Sequence, residues 1–339
     1  MKIALDAMGG DHAPAATVEG AIEAVNKSAD LSVILVGNET ELIRALNGKN
    51  YPSSSLRIKH ASQAVKMDES PLKALRYKKD SSIKVALELA KSGEADAMVS
   101  AGNSGVVIAK ALFTLGKLPG IDRPAIATVM PTLKGLFVLI DAGANVDCKP
   151  GHLLQFAIMG ESYAKSIFDV DNPKVGLLGI GEEDVKGNEL TKATFKLLKD
   201  SGINFIGNIE GKNVFMGEAD VVVCDGFVGN ITLKISEGLA ETIVKILKKE
   251  ISQSLMGKIG HLFLKGALRS FKKRTDYSEY GGAPLLGVSK PCIISHGRSS
   301  SKAIKNAIAL AEEFCKKRVL DVISSEFSLK ILEKEKICS

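Results

Sequence analysis

An α/β fold with a mainly parallel sheet is predicted by three features of this chain. Six short apolar runs each stop at a loop of Gly, Asp, Asn or Ser. Helical patterns alternate with those runs. The 339 residues, 45% hydrophobic and 25% charged, suffice to bury a large core. Short apolar runs bounded by turn residues read as buried parallel strands. Strand–loop–helix alternation lays helices over the faces of such a sheet.

Taken in order, Ile3–Leu5 enters the loop Asp6–His12, and after Pro14 a helix follows over Ala15–Val25, with Val18, Ile22 and Val25 on one face. Ile83, Val85, Ala86, Leu89 and Ala90 mark a helix before the second run, Ala97–Val99, which enters Ser100–Gly105. Phe137–Ile140 enters Asp141–Asn145. Val175–Leu178 enters Gly179–Glu183, followed by a helix over Thr191–Leu198. Val221–Cys224 enters Asp225–Asn230 and a helix over Ile231–Ile246, and Cys292–Ile294 enters Ser295–Ser300. The tail after Glu326, rich in Lys and Glu, reads as an exposed helix. No repeat or Pro-rich linker divides the chain. The expected organisation is one body over residues 1–330 with a cleft between lobes, a basic amphipathic insertion over 245–280, and a tail at 331–339.

Composition removes several function classes. Aromatics are 5% and Trp is absent, which argues against stacking platforms and nucleic-acid partners. The five cysteines are scattered and lack C-x-x-C pairing, so neither a disulfide framework nor structural zinc is expected. No His, Asp or Glu spacing suggests a metal site. Gly179–Asp184 starts like a dinucleotide fingerprint but lacks its third Gly, and its acidic triplet repels pyrophosphate. No cofactor is expected. No segment is apolar enough to cross a bilayer, and the first strand begins at the N-terminus, so a cytoplasmic location is expected.

The net charge of +6 is unevenly distributed. Between Lys245 and Arg274 nine cations face Glu250 alone, a local charge of +8. Apolar residues from Ile251 to Phe271 fall on one side of a helix or of two shorter ones. Leu255, Ile259, Leu262 and Phe263 form that side; Lys258, Lys265, Arg269 and Lys272 lie elsewhere around it. This pattern fits a helix docked on the core, a dimer interface, an anchor on an anionic membrane, or a surface for an acidic carrier.

The loops ending the strands supply the chemistry, since ligands of open α/β sheets bind there. Glycines let backbone N–H groups approach an anion. Gly9, Gly10, Gly102 and Gly229 are the candidates. Lys186, beside Gly187 and Asn188, suits phosphate or a developing oxyanion, or else pairs with Glu182 or Glu183. Asp6, Asp141 and Asp225 each follow a strand and contact a ligand or cap a turn. Asn103, Asn145, Asn188 and Asn230 offer amide groups to a polar ligand, or serve as turn residues. His12 and His296 are the loop histidines suited to acid–base work, or to structural hydrogen bonds. Ser104 is a nucleophile or a helix N-cap.

Longer motifs now add to this reading. Lys2–Pro14, Ser100–Gly105, Asp122–Ile126, Asp141–Asn145, Asp225–Asn230, Tyr280–Gly287 and Ser295–Gly297 resemble, in order, the motifs of the bacterial phosphate acyltransferases of phospholipid synthesis, the PlsX family. The likeness runs from residue 1 to about 325; Ser104 stands where the family often has Thr. The resemblance implies transfer of a long-chain acyl group from acyl carrier protein to inorganic phosphate, giving acyl phosphate for a downstream acyl-phosphate glycerol-3-phosphate acyltransferase. It also implies a three-layer α/β/α fold with a mainly parallel sheet, like isopropylmalate dehydrogenase and phosphate acetyltransferase, a homodimer, and peripheral membrane association. Direct attack of phosphate on the thioester, with Lys186, Asn103, Ser104, His12 and Asp225 at the reaction and the remaining loop residues holding substrate, is the expected mechanism. All these loops are expected at one rim of the sheet.

Overall fold

A computed structural model describes residues 1–252, 263, 266, 271 and 277–337. Eleven strands form one sheet, flanked by helices on both faces. The strands are β1 (Lys2–Asp6), β2 (Ser32–Gly37), β3 (Leu56–His60), β4 (Ala97–Ser100), β5 (Ala125–Pro131), β6 (Leu136–Ile140), β7 (Val175–Gly179), β8 (Phe205–Glu210), β9 (Val221–Val223), β10 (Ala283–Leu286) and β11 (Cys292–Ile294). Their order across the sheet is β3-β2-β1-β4-β11-β10-β5-β6-β9-β7-β8. All six apolar runs of the sequence are strands.

The helices that matter for the loops are α1 (Ala15–Lys27), α2 (Glu39–Leu46), α3 (Pro71–Tyr77), α4 (Ser82–Ser92), α5 (Ser104–Leu115), α6 (Pro150–Phe168), α7 (Glu189–Lys199), α8 (Gly226–Ser252), α9 (Ser301–Lys316) and α10 (Val319–Ile337). Strand side chains alternate between faces, and the core divides accordingly. Ile3, Leu5, Val138, Ile140, Val221 and Val223 join one buried cluster with α1, α6, α9 and α10. Ala4 and Met98 pack with α4 and α5 on the opposite face. Phe137, Leu139 and Val222 belong to a third cluster. Leu233 of α8 packs against the second and third clusters and so joins them. The second and third clusters supply the third layer.

Pairing is parallel except at β11–β10, β10–β5 and β5–β6. Those three reversals leave β6, β7, β8 and β9 antiparallel to β1, β2, β3 and β4. The stretch after Glu326 is less exposed than expected at its start: Phe327 of α10 is buried. No helix among the described residues is long and apolar enough to cross a membrane. Leu255, Lys258, Ile259, Leu262, Lys265, Arg269 and Lys272 lie outside the described residues, while Phe263 is described and is 82% exposed.

Candidate active site

The first set of loops follows β1, β4 and β11. Asp6, Ser100 and Ile294 share one row, so their loops leave the sheet side by side. Asp6 is fully buried, and its carboxylate accepts from Ser100 Oγ at 2.6 Å and Met8 N at 3.3 Å. Burial pushes this carboxyl above the usual range, with the Ser100, Ser82, Met8 and Gly9 hydrogen bonds acting against it. Gly9 is required by close approach: a Cβ would overlap Asp6 Oδ2 and lie 2.7 Å from Gly102 N. Asp11 N donates to Gly297 O at 2.8 Å and locks the first loop to the third.

Asn103 caps α5. Its Oδ1 accepts from Val106 N at 3.1 Å, and its Nδ2 donates to Met67 O at 2.8 Å and Glu69 O at 3.1 Å. Ser104 is therefore the first helical residue and not the cap. The N–H groups of Ser104 and Gly105 have no acceptor among the described residues, as the first turn of a helix dictates. His12 is exposed and lines a hollow of about 510 Å³ with Glu19 and Lys49, on the α1 side. His296 Nδ1 accepts from Arg298 N at 3.2 Å.

The second set follows β6, β9 and β7, which are mutually parallel neighbours. Asp141 is fully buried and is the focus of its own turn. Its Oδ1 accepts from Ile126 N at 3.0 Å, Gly143 N at 3.1 Å and Ala144 N at 3.0 Å. Its Oδ2 accepts from Asn145 N at 2.7 Å and Asn145 Nδ2 at 2.9 Å. Burial raises its pKa; those donors oppose the rise. A Cβ on Gly229 would overlap the Asp141 carbonyl oxygen, so the start of α8 packs directly on this turn. Asp225 caps α8 through Val228 N at 2.9 Å, and Asn188 caps α7 through Thr191 N at 2.9 Å. Asn230 is exposed on the first turn of α8, and Lys186 is exposed on the β7–α7 loop. The Cys148 thiol is pushed up to about 11 by burial, with Asp141 and Asp225 adding to the shift, so no thiolate forms there near neutral pH.

Several expectations need correction. The loops form two sets and not one rim, because the chain reverses at β10 and β5. The sets nevertheless start at nearly the same level. Ala283 of β10 pairs with Ile294, and Leu285 with Ile126, the residue whose N–H bonds Asp141. Two residues along a strand are about 7 Å. Sideways, five strand spacings separate β1 from β6, on the order of 24 Å in a flat sheet. One phosphate therefore cannot touch Asp6 and Asp141 together. A sheet also twists by about 20–25° per strand, roughly 100–125° over those five steps, so opposed directions do not set the loops back to back. Ala142, Ala144 and Leu233 share a cluster with Val106 and Val107, one turn into α5.

Other corrections concern individual groups. Asp6 and Asp141 face inward and hold turns. The amide hydrogens of Asn103 and Asn145 are already engaged, the latter with Pro124 O at 2.8 Å and Asp141. Lys186 forms no ion pair among the described residues; Glu182 instead accepts from Asn213 Nδ2 at 2.7 Å. Gly105 and Asn208 did not stand out in the sequence. Gly105 contributes only a backbone N–H, and Asn208 sits in a strand without a clean apolar run.

Comparisons with known proteins follow the same lines. The family model described as "Fatty acid synthesis protein" matches residues 1–322. The phosphate acyltransferase of Thermodesulfovibrio yellowstonii is 55% identical over 97% of this chain and 94% of its own length. That of Pelotomaculum thermopropionicum is 55% identical over 96% and 94%. Among solved structures, a phosphotransacetylase from Streptococcus pyogenes superposes with a TM-score of 0.64 at 18% identity, covering 95% of this chain and 94% of that one, a likeness of fold. A match along nearly the whole chain, together with relatives more than half identical, means that this chain belongs to the fatty acid synthesis protein family and is an acyltransferase.

Proposed function

We propose that this enzyme moves a long-chain acyl group from the thioester of acyl carrier protein to inorganic phosphate, forming acyl phosphate and free thiol. The observation that carries this reading is the set of hydrogen-bond donors left open at the strand ends. Among the described residues Lys186 has no ion partner, Asn230 stands on the first turn of the neighbouring helix α8, and the N–H groups of Ser104 and Gly105 have no acceptor. Lys186, with Asn188 and Asn230, holds phosphate. The first turn of α5, six strand spacings from β7 across the sheet, receives a polar group of the long acyl donor remote from the reacting carbon. A phosphate oxygen attacks the thioester carbon, the tetrahedral oxyanion collapses, and the C–S bond breaks. The proton of the attacking phosphate passes to the departing thiolate. Holding both substrates in line supplies most of the acceleration, and one well-placed oxyanion donor contributes roughly 100-fold or more. A thiolate leaves readily, so acid catalysis is a smaller part.

The +8 segment between Lys245 and Arg274 suits an acidic carrier or an anionic membrane surface. Ile231, Ile235, Leu239, Ile243 and Leu247 repeat every four residues along α8 and are exposed, which supports a homodimer joined through this helix. The product, a reactive mixed anhydride, passes to an acyl-phosphate glycerol-3-phosphate acyltransferase. The test is release of carrier thiol with and without phosphate, run beside acetyl-CoA. Phosphate-dependent release from long-chain acyl carrier is the expected result. Preference for acetyl-CoA would make this a short-chain enzyme. Binding to anionic vesicles with no thioester consumed would make it a scaffold.

A further inference from the structure

We infer that Asn208 is a positioning residue that fixes Lys186 for phosphate, an inference that rests on the role given to Lys186 above. Asn208 lies on β8 and is buried. Its Nδ2 donates to the Glu183 carbonyl at 2.9 Å. The same carbonyl accepts the backbone N–H of Lys186 at 3.0 Å. One oxygen is thus the node of the turn that displays Lys186, and Asn208 ties that node to the sheet. Asn213, in the turn after β8, holds the neighbouring Glu182. Glu210 pairs with Lys212. The Glu183 carboxylate and the Lys186 side chain both lie beside Gly181, so the set of this turn decides where the ammonium stands.

The other end of the Asn208 amide supplies the second argument. Its Oδ1 is buried with no hydrogen-bond partner among the described residues. An orphaned buried polar atom costs stability, whereas an apolar group of similar shape avoids that cost. Stability alone therefore does not favour asparagine here. Residues that violate a local rule of packing concentrate at functional sites. The amide is explained by the bond made at its other end.

The test is a set of three variants: Asn208→Leu, Lys186→Ala and the double variant. Each is assayed for kcat and for KM of phosphate and of the acyl donor, with a thermal melt. Asn208→Leu should keep or raise the melting temperature, because it removes the orphaned oxygen. Its kcat/KM for phosphate should fall roughly 10- to 100-fold, as expected for an ångström-scale misplacement. The KM of the acyl donor should stay unchanged. In the Lys186→Ala background the same substitution should cause no further loss, since nothing remains to position. Multiplicative losses in the double variant would overturn the inference while leaving Lys186 in place. A large drop in melting temperature with both KM values unchanged would make Asn208 a structural residue only. Near-normal turnover of Lys186→Ala would remove the underlying reading, and the positioning role with it. Asn208→Asp, which turns an oxygen toward the Glu183 carbonyl, should reproduce the phosphate defect.

Discussion

The turn after β1 and the turn after β6 look alike in sequence, Asp6-Ala7-Met8-Gly9 against Asp141-Ala142-Gly143-Ala144, yet they direct their hydrogen bonds differently. At β6 the N–H groups of Gly143, Ala144 and Asn145 all converge on the Asp141 carboxylate. That turn is a closed nest whose anion is its own aspartate. At β1 the carboxylate takes fewer backbone donors, and Ser100 Oγ satisfies one of its oxygens. The neighbouring helix α5 keeps two first-turn N–H groups without an acceptor among the described residues. A glycine turn after a strand is thus not by itself an anion site. What decides is whether the aspartate that opens it has already taken the donors.

Substitutions can break or sharpen this contrast. The largest effect belongs to Asp141→Ala, which strands five donors and should cost about 4 kcal/mol or more, read by chemical denaturation. Asp6→Ala should cost clearly less. Equal losses would erase the distinction between the two turns. Next comes Gly229→Ala. Its Cβ would meet the Asp141 carbonyl, a backbone atom, so a loss of about 2–3 kcal/mol and a lower melting temperature are expected.

Ser104→Pro acts on function and not on folding. Proline suits the first helical position, and Asn103 before it is already extended, at φ −55° and ψ 111°. The substitution removes an open N–H and the hydroxyl; Ser104→Ala removes the hydroxyl alone. A roughly tenfold or greater rise in KM for the acyl donor is expected for Pro and little change for Ala, corresponding to one lost donor of about 1.4 kcal/mol or more. Equal effects would shift the role to the hydroxyl.

The smallest effect concerns Lys110 of α5, which is buried and donates to Lys78 O at 2.6 Å. Burial, with Lys84 adding, brings its pKa from 10.5 to about 8. The unfolded chain then binds this proton more tightly than the folded one. Stability therefore rises with pH between about 8 and 10.5 and is lowest, on this account, below 8. Lys110→Met should gain most over wild type in melts at pH 7 and lose that advantage by pH 10. A constant difference would mean the folded protein does not hold Lys110 in this state.

Much of the layer structure was legible because β1, β4, β6, β7, β9 and β11 are buried on both faces and read as unbroken apolar runs. The edge strands β3 and β8 were not, since each leaves side chains exposed, and β8 contains Gly207 and Asn208. β10 is short and includes Pro284. The reversal it introduces has no signature in the residues, so two sets of loops looked like one. Capping was legible at Asp225; Asn188 and Asn103 read only as turn residues, and the cap of α5 was expected at Ser104, one residue late. Whether Asp141 faces a ligand or its own turn depends on backbone geometry after the strand, which composition does not encode.

Direct attack by phosphate is tested most simply by intact-mass analysis of the enzyme mixed with long-chain acyl carrier thioester, with thiol release followed in parallel. Without phosphate, the protein mass should stay unchanged and no thiol should appear; adding phosphate should release thiol, still with no change in mass. A gain of one acyl group before phosphate is added, mapped to Ser104, would contradict the account.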